Sequence, residues 1–269
     1  MLDLMDRVDK RYVHFLPEER PFLARVEDWL NAVEKNRQVC TPFLDPRQVY
    51  ILESLARARG VEVFFSGGHE HAERKRAILA PWPLGELTEE DFGMVLVEAR
   101  LPLRHAGAVS HRHFLGSLLN LGLKREKFGD LWIVCRGDQK GAQVIMAEEV
   151  TDYVLMHWLK VGNHPIRADK VPWTDLLPPK VQMEELTITL PSLRLDAFVS
   201  EVCRISRAKA AQLVREKEVK VNWKVEAEAS ATLQAGDLVS VRRYGRFTLL
   251  SIAGENRRGR LRLVVGKTV

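Results

Sequence analysis

Arg194-Leu-Asp196-Ala-Phe198, then Ile205-Ser206-Arg207-Ala-Lys209-Ala210, then Leu213-Val214, then Val219-Lys220-Val221-Asn222 is the stretch on which the fold turns. Leu195, Phe198 and Val199 share one face of a short amphipathic helix over Arg194–Cys203. Ser206 stands where an N-cap belongs, so a second helix is predicted over Arg207–Glu216, with Ala210, Leu213 and Val214 inward. Two strand-like runs follow, Val219–Asn222 and Leu238–Val241, with the turn signal Gly236-Asp237 between them. Thr248–Ile252 and Leu261–Val265 predict a terminal hairpin around Gly254-Glu-Asn-Arg-Arg-Gly259.

The same segment holds the chain's net positive charge. The 269 residues carry a formal +5. From Glu184 to Val269 there are 16 Lys and Arg against 10 Asp and Glu, a net +6; the rest of the chain is −1. A basic module on a neutral body points to an anionic polymer as partner, because multivalent phosphate contacts need clustered Lys and Arg. The first turn of the second helix offers free amides and the positive end of a dipole. Ser206 and Arg207 lie at that end, and Lys209 and Gln212 spread around the exposed side. Arg194 precedes the first helix, Lys217 follows the second, and Lys220 and Lys224 lie on the next hairpin. Arg242 to Lys267 adds eight basic residues, among them Arg242, Arg243, Arg246, Arg257 and Arg258, against Glu255 alone. One continuous positive face beside the second helix is the expectation.

Upstream, Val61–Trp173 alternates strands and helices. Met94–Leu101 is strand-like, with Val95, Val97, Ala99 and Leu101 on one face. Ser110 can cap a helix bearing Phe114, Leu115, Leu118 and Leu119, ended by Gly122. Leu131–Cys135 and Ala142–Ala147 read as strands around the turn Arg136–Gly141. Val150, Val154, Trp158 and Val161 keep helical spacing up to Gly162, and Ile166–Val171 could be a last strand. The order βαββαβ is ferredoxin-like, the arrangement also used by RNA-recognition motifs. The two strands that would stack bases there, Met94–Leu101 and Ala142–Ala147, contain no aromatic residue, so base stacking is not expected. Pro172-Trp-Thr-Asp-Leu-Leu-Pro178-Pro179 reads as a semi-rigid spacer.

The first sixty residues read helical: one helix near Glu18–Lys35, and another opened by Asp45-Pro46 and closed at Gly60. The predicted organisation is α+β: a mainly helical domain over 1–75, a ferredoxin-like or RRM-like domain over 76–178, and an S4-like αα-β domain over 179–269.

Several functions are disfavoured. No apolar run approaches the ~18 residues of a membrane span, and Met1–Lys10 lacks the pattern of a signal peptide. Cys40, Cys135 and Cys203 form no CxxC, so the default setting is a reducing cytosol and a cytoplasmic protein. His69-Glu-His71 and His111-Arg-His113 resemble metal ligands, but neither has a nearby Cys or an HExxH, and no metal or other cofactor is expected. Ser66-Gly67-Gly68 follows a strand and precedes a predicted helix, yet it lacks a P-loop pattern and reads as a tight turn. No GxSxG motif or Cys–His pair suggests catalysis.

The quoted stretch resembles an S4-like RNA-binding domain. Two positions depart from that type: Lys217 and Trp223 stand where glycine is common, so altered turns are expected there. In the middle domain, Leu115-Gly-Ser-Leu-Leu-Asn-Leu-Gly-Leu-Lys124-Arg125-Glu-Lys127-Phe-Gly-Asp130 is similar to the signature of the bacterial YlmH family, as are Asn222–Lys224 and Gly236–Arg242. The resemblance implies a non-enzymatic RNA-binding protein of the large ribosomal subunit. It implies rRNA and tRNA as partners, with no DNA or membrane, and a monomer when free. It further implies a role in ribosome-associated quality control, where stalled peptidyl-tRNA receives an alanine tail. Competing readings are an RNA-modifying enzyme, pseudouridine synthase- or methyltransferase-like, and a scaffold for cell division or photosystem biogenesis. Lys124, Arg125 and Lys127 fall in a loop after Gly122, where a second RNA or ribosome contact is expected and where truncation should leave stability unchanged.

Overall fold

The computed structural model describes residues 15–102, 109–137, 139–177, 179, 183–256 and 259–268. The chain divides into two compact units, Met1–Pro179 and Lys180–Val269.

In the first unit, helix α1 (Arg20–Glu34) buries Phe22, Leu23, Val26, Leu30 and Val33 along one stripe. Helix α2 (Pro46–Ala58) begins with a reciprocal cap: Gln48 N donates to Asp45 Oδ1 and Asp45 N donates to Gln48 Oε1, each at 2.9 Å. These helices share a core with a three-stranded antiparallel sheet of β1 (Val39–Cys40), β2 (Val63–Ser66) and β3 (Arg76–Leu79), ordered β1–β3–β2. The N-terminal part is therefore not only helical. Strand β3, which the sequence assigns to the middle domain, pairs with N-terminal strands on both sides.

Strand β4 (Met94–Arg100), helix α3 (His111–Leu119), strands β5 (Phe128–Arg136) and β6 (Gln139–Ala147) and helix α4 (Thr151–His157) follow. A short hairpin of β7 (Lys160–Val161) and β8 (His164–Pro165) then leads into β9 (Arg167–Val171). The main sheet is ordered β5–β6–β4–β9, antiparallel throughout, which is the ferredoxin-like topology. The turn between β5 and β6 is shorter than expected, since the strands continue to Arg136 and from Gln139. Helix α4 is also shorter. It stops at His157, and Trp158 and Val161 are buried from the cap and from β7. Their spacing imitates a helix because the hairpin folds back over the same core.

The sheet is buried on both faces. On one lie Val95, Val97 and Ala99, in a core that contains Phe114, Leu118, Val154 and Trp158 from the helices and the segment after α4. Strand alternation places Leu96, Glu98, Trp132, Gln143 and Ile145 on the other. Residues 173–177 seal this second face. Gln143 Nε2 donates to Asp175 O and Leu177 N donates to Gln143 Oε1, both at 2.9 Å, and Trp132 Nε1 donates to Leu177 O at 2.6 Å. The segment expected to act as a spacer is thus part of the packing, at least as far as Leu177.

In the second unit, six antiparallel strands are ordered β10–β15–β14–β13–β11–β12. They are β10 (Met183–Leu190), β11 (Val219–Val221), β12 (Lys224–Val225), β13 (Leu238–Val241), β14 (Gly245–Glu255) and β15 (Leu261–Thr268). Helices α5 (Leu195–Cys203) and α6 (Arg207–Arg215) share its core: Leu195, Phe198, Ala210, Leu213 and Val214 lie with Val219, Val239, Phe247, Leu263 and Val265. The terminal hairpin does not stand apart. Strand β15 pairs along its length with β10, whose alternating Leu186, Ile188 and Leu190 the sequence reading did not assign to a strand.

Candidate nucleic-acid interface

The two helices of the second unit meet at an acid. Asp196, in the first turn of α5, is 5% exposed. Arg194 grips it with Nε on Oδ1 at 3.1 Å and Nη2 on Oδ2 at 3.0 Å, and Arg207 Nη2 donates to Oδ1 at 3.2 Å. Burial pushes the Asp196 carboxyl up, but the hydrogen bonds from Arg194 and Arg207 outweigh it and hold the group below its ordinary range. Both guanidiniums stay about half exposed, at 40% and 53% of the side chain. The acid aligns two cations without removing them from solvent.

Beside them, Ser206 caps α6, its Oγ accepting from Lys209 N at 3.2 Å. Lys209 Nζ donates to Gln212 Oε1 at 3.3 Å, and Gln212 Nε2 to Glu216 Oε1 at 2.7 Å, so the exposed stripe of the helix is linked end to end. At the other end of α6, Lys217 takes φ +60°, and Arg242 Nη1 donates to Glu218 Oε1 at 2.7 Å. Arg243, at φ +71°, lies in the adjoining turn. The turn after β11 is also left-handed, at Asn222 (φ +49°) and Trp223 (φ +63°). Asn222 pins it by donating through Nδ2 to Asp237 Oδ1 at 2.8 Å and accepting from Leu238 N at 3.0 Å. The turns expected to change shape for want of glycine therefore keep their left-handed residues.

The basic residues do not form one face. Lys220 is opposite Ser240, and Ser240 opposite Arg246, so these cations share the sheet face turned away from the buried Val219, Val239 and Phe247. Arg194, Arg207 and Lys209 gather at the start of α6, and Lys217, Arg242 and Arg243 near its end. Lys224 is half-buried in β12. Arg257 and Arg258 lie outside the described residues.

The second cluster in the sequence separates. Lys124 is exposed, whereas Arg125 turns inward: its Nη1 donates to Phe128 O and to Gly129 O, the latter at 3.0 Å. Burial first, and the neighbouring Arg74 guanidinium second, push Arg125 down to about 10. Lys127 Nζ is paired with Glu149 Oε1 at 3.0 Å. Arg125 therefore belongs to the packing, contrary to the expectation of an outward loop residue, and truncating all three would not be neutral.

The histidine motifs are dispersed as well. His69 lies in a turn, its ring edge-on to Trp132 at 5.4 Å and its Nε2 3.4 Å from Asp130 Oδ2, while His71 is exposed. Among the described residues no three His, Cys, Asp or Glu side chains group as metal ligands. Gly67-Gly68 leads into a turn and not a helix; Gly68 takes φ +81°, and a Cβ there would come within 2.8 Å of Ile145 and Trp173. No helix among the described residues is long and apolar enough to cross a membrane.

Family models cover three successive stretches: "YlmH, N-terminal" over residues 18–83, "Putative RNA-binding domain in YlmH" over 88–175, and "S4 domain" over 193–239. The chain is 36% identical over 253 residues to the ribosome-associated protein quality control protein P2 of Bacillus subtilis, covering 94% of this chain and 96% of the relative. The chain belongs to the YlmH family. A solved structure, the cell division protein ylmH from Streptococcus pneumoniae, matches with a TM-score of 0.52 at 26% identity, over 62% of this chain and 99% of that one. In this YlmH-family chain the S4 match spans both helices and the Asp196 cluster. Strands β10, β14 and β15 lie beyond that match. Sequence reasoning missed Asp196 as the pivot of the site; its signal was the acid two residues after Arg194, at the start of an otherwise apolar helix face.

Proposed function

We propose that this protein is a non-enzymatic RNA-binding factor of the large ribosomal subunit, and that the start of α6 is its main phosphate-binding surface. The observation that carries the proposal is the Arg194–Asp196–Arg207 cluster beside the amide-rich first turn of an S4-domain helix. Two aligned, solvent-open guanidiniums next to a helix N-terminus suit phosphate oxygens, which Arg can meet bidentately. Such a surface reads duplex or stem-loop backbone without stacking. The name of the Bacillus subtilis relative supports placing this activity on the ribosome in quality control. The finer role is to hold rRNA and peptidyl-tRNA on stalled large subunits between additions of alanine, from a free, monomeric, cytoplasmic pool. Lys124 is the residue of the second basic cluster best placed to add a contact.

Crosslinking in cells, followed by sequencing of bound RNA and sucrose-gradient fractionation, tests this directly. Peaks on large-subunit rRNA and tRNA are expected. Peaks on messenger RNA would overturn it.

A further inference from the structure

With one face of the middle sheet sealed by residues 173–177, any RNA contact of that module must lie elsewhere. On the helical side, a cavity of about 410 Å³ opens between one face of α3, the end of α4 and the β7–β8 hairpin. Small-ligand sites usually fall in the range of ~300–1,000 Å³. The side chains that matter in it are His113, Ser117, Asn120, His157, Trp158 and Lys160, and among the described residues no carboxylate lines it.

Hydrogen bonds hold four of these six side chains. Trp158 is buried, and its Nε1 donates to Ser117 Oγ at 2.7 Å, which fixes the floor. His157 Nδ1 donates to Tyr153 O at 2.8 Å, leaving Nε2 as the acceptor of the neutral ring. His113 Nδ1 accepts from Ser110 N at 3.1 Å, leaving Nε2 as a donor. Asn120 supplies an amide with both functions. Lys160 supplies the positive charge.

An aromatic platform adjoins this polar set. The rings of Tyr153 and His157 are stacked at 4.3 Å with planes 27° apart, and Tyr153 is 45% exposed. Met156 and Leu159, in the same stretch, are more than 60% exposed, an apolar rim beside a polar cavity.

We infer that this groove is a second RNA site, taking one unpaired ribonucleotide. The base extends the Tyr153–His157 stack, its edge meets His113 and Asn120, and its phosphate meets Lys160. Stacking platforms beside positive charge are the usual way to hold single strands. The inference rests on the RNA-binding reading above and adds a preference for unpaired RNA to it.

The test uses the full chain and two labelled probes, a mixed-sequence single-stranded RNA of about twelve nucleotides carrying 4-thiouridine and a duplex of matching length. His157→Ala/Lys160→Ala should bind the single strand about tenfold more weakly and the duplex within about twofold of the unaltered chain. Lys160→Glu, an exposed change that leaves the packing intact, should show the same selectivity. Photocrosslinks should map to peptides spanning residues 110–121 and 151–165. Unchanged single-strand affinity in a folded Lys160→Glu variant, with crosslinks confined to residues 183–269, would overturn the inference and leave the α6 site standing. Retained RNA affinity with lost ribosome co-sedimentation would assign the groove to a ribosomal protein and overturn it too. Absence of RNA binding by the unaltered chain would overturn both readings.

Discussion

Arg207 reaches back across the turn between α5 and α6 to Asp196, eleven residues earlier, and donates to its Oδ1 at 3.2 Å. The link ties the start of α6 to a buried acid of α5 and sets the direction of a guanidinium that stays half exposed. Asp196→Asn should cost about 1.5–3 kcal/mol, the range for hydrogen bonds to a charged group. The sign with pH follows from the depressed folded value. The carboxylate contributes its stability above the ordinary value of 3.8, and that contribution is lost as pH falls through the lower folded value. Urea titrations at neutral pH and at descending acid pH should show the variant and the parent converging only at the acid end.

Lys217 holds φ +60° where a side chain adds strain. Relief of that strain exceeds the extra entropy glycine gains on unfolding, so Lys217→Gly should stabilise the second unit by roughly 0.5–1 kcal/mol. A higher denaturation midpoint with unchanged slope is the expected observation; a lower midpoint contradicts it.

Gln143 is fully buried, and its amide joins Glu98, Asp175 O and Leu177 N. Gln143→Leu leaves that backbone donor and acceptor unmatched and should destabilise by about 2–4 kcal/mol. Hydrogen exchange at the Leu177 amide should accelerate along with the loss. If Leu177 exchanges at the parent's rate, residues 173–177 are held to the sheet by something other than this amide.

Arg125→Ala should lower stability by about 1–3 kcal/mol, because it removes the donor to Phe128 O and Gly129 O. Lys124→Ala, one residue earlier and exposed, should change it by less than about 0.5 kcal/mol. Thermal melts of the two single variants distinguish a packed arginine from a loop residue.

What the sequence made legible was local. The Asp45 and Ser206 caps, the stripes of α1, α2, α5 and α6, and the βαββαβ order each depend on residues a few positions apart, and each can be read without knowing the fold. Partnerships across long separations could not. Pairing of β10 with β15 joins Met183 to Thr268, and β3 turns toward N-terminal strands although its own four residues look the same for either neighbour. Val150, Val154, Trp158 and Val161 share a helical period because a helix and a hairpin cover one core, so periodicity alone could not mark where α4 stops. The candidate site was half legible: Ser206, Arg207 and Lys209 stood out as a helix start with charge. Asp196, which aligns them, looked like an ordinary first-turn acid, and Arg125 looked like a surface cation because sequence does not show which carbonyls lie beneath it.

The most direct test of the account is RNA affinity measured across a salt series for the parent and for Arg207→Ala/Lys209→Ala, with folding checked by circular dichroism. Each phosphate neutralised should contribute roughly −0.7 to −0.9 to the log–log slope. The double variant should stay folded, because Arg194 still holds both oxygens of Asp196; it should bind more weakly and show a slope shallower by about one unit per lost contact. A folded double variant whose affinity and slope both match the parent would contradict the claim that RNA binds at the start of α6.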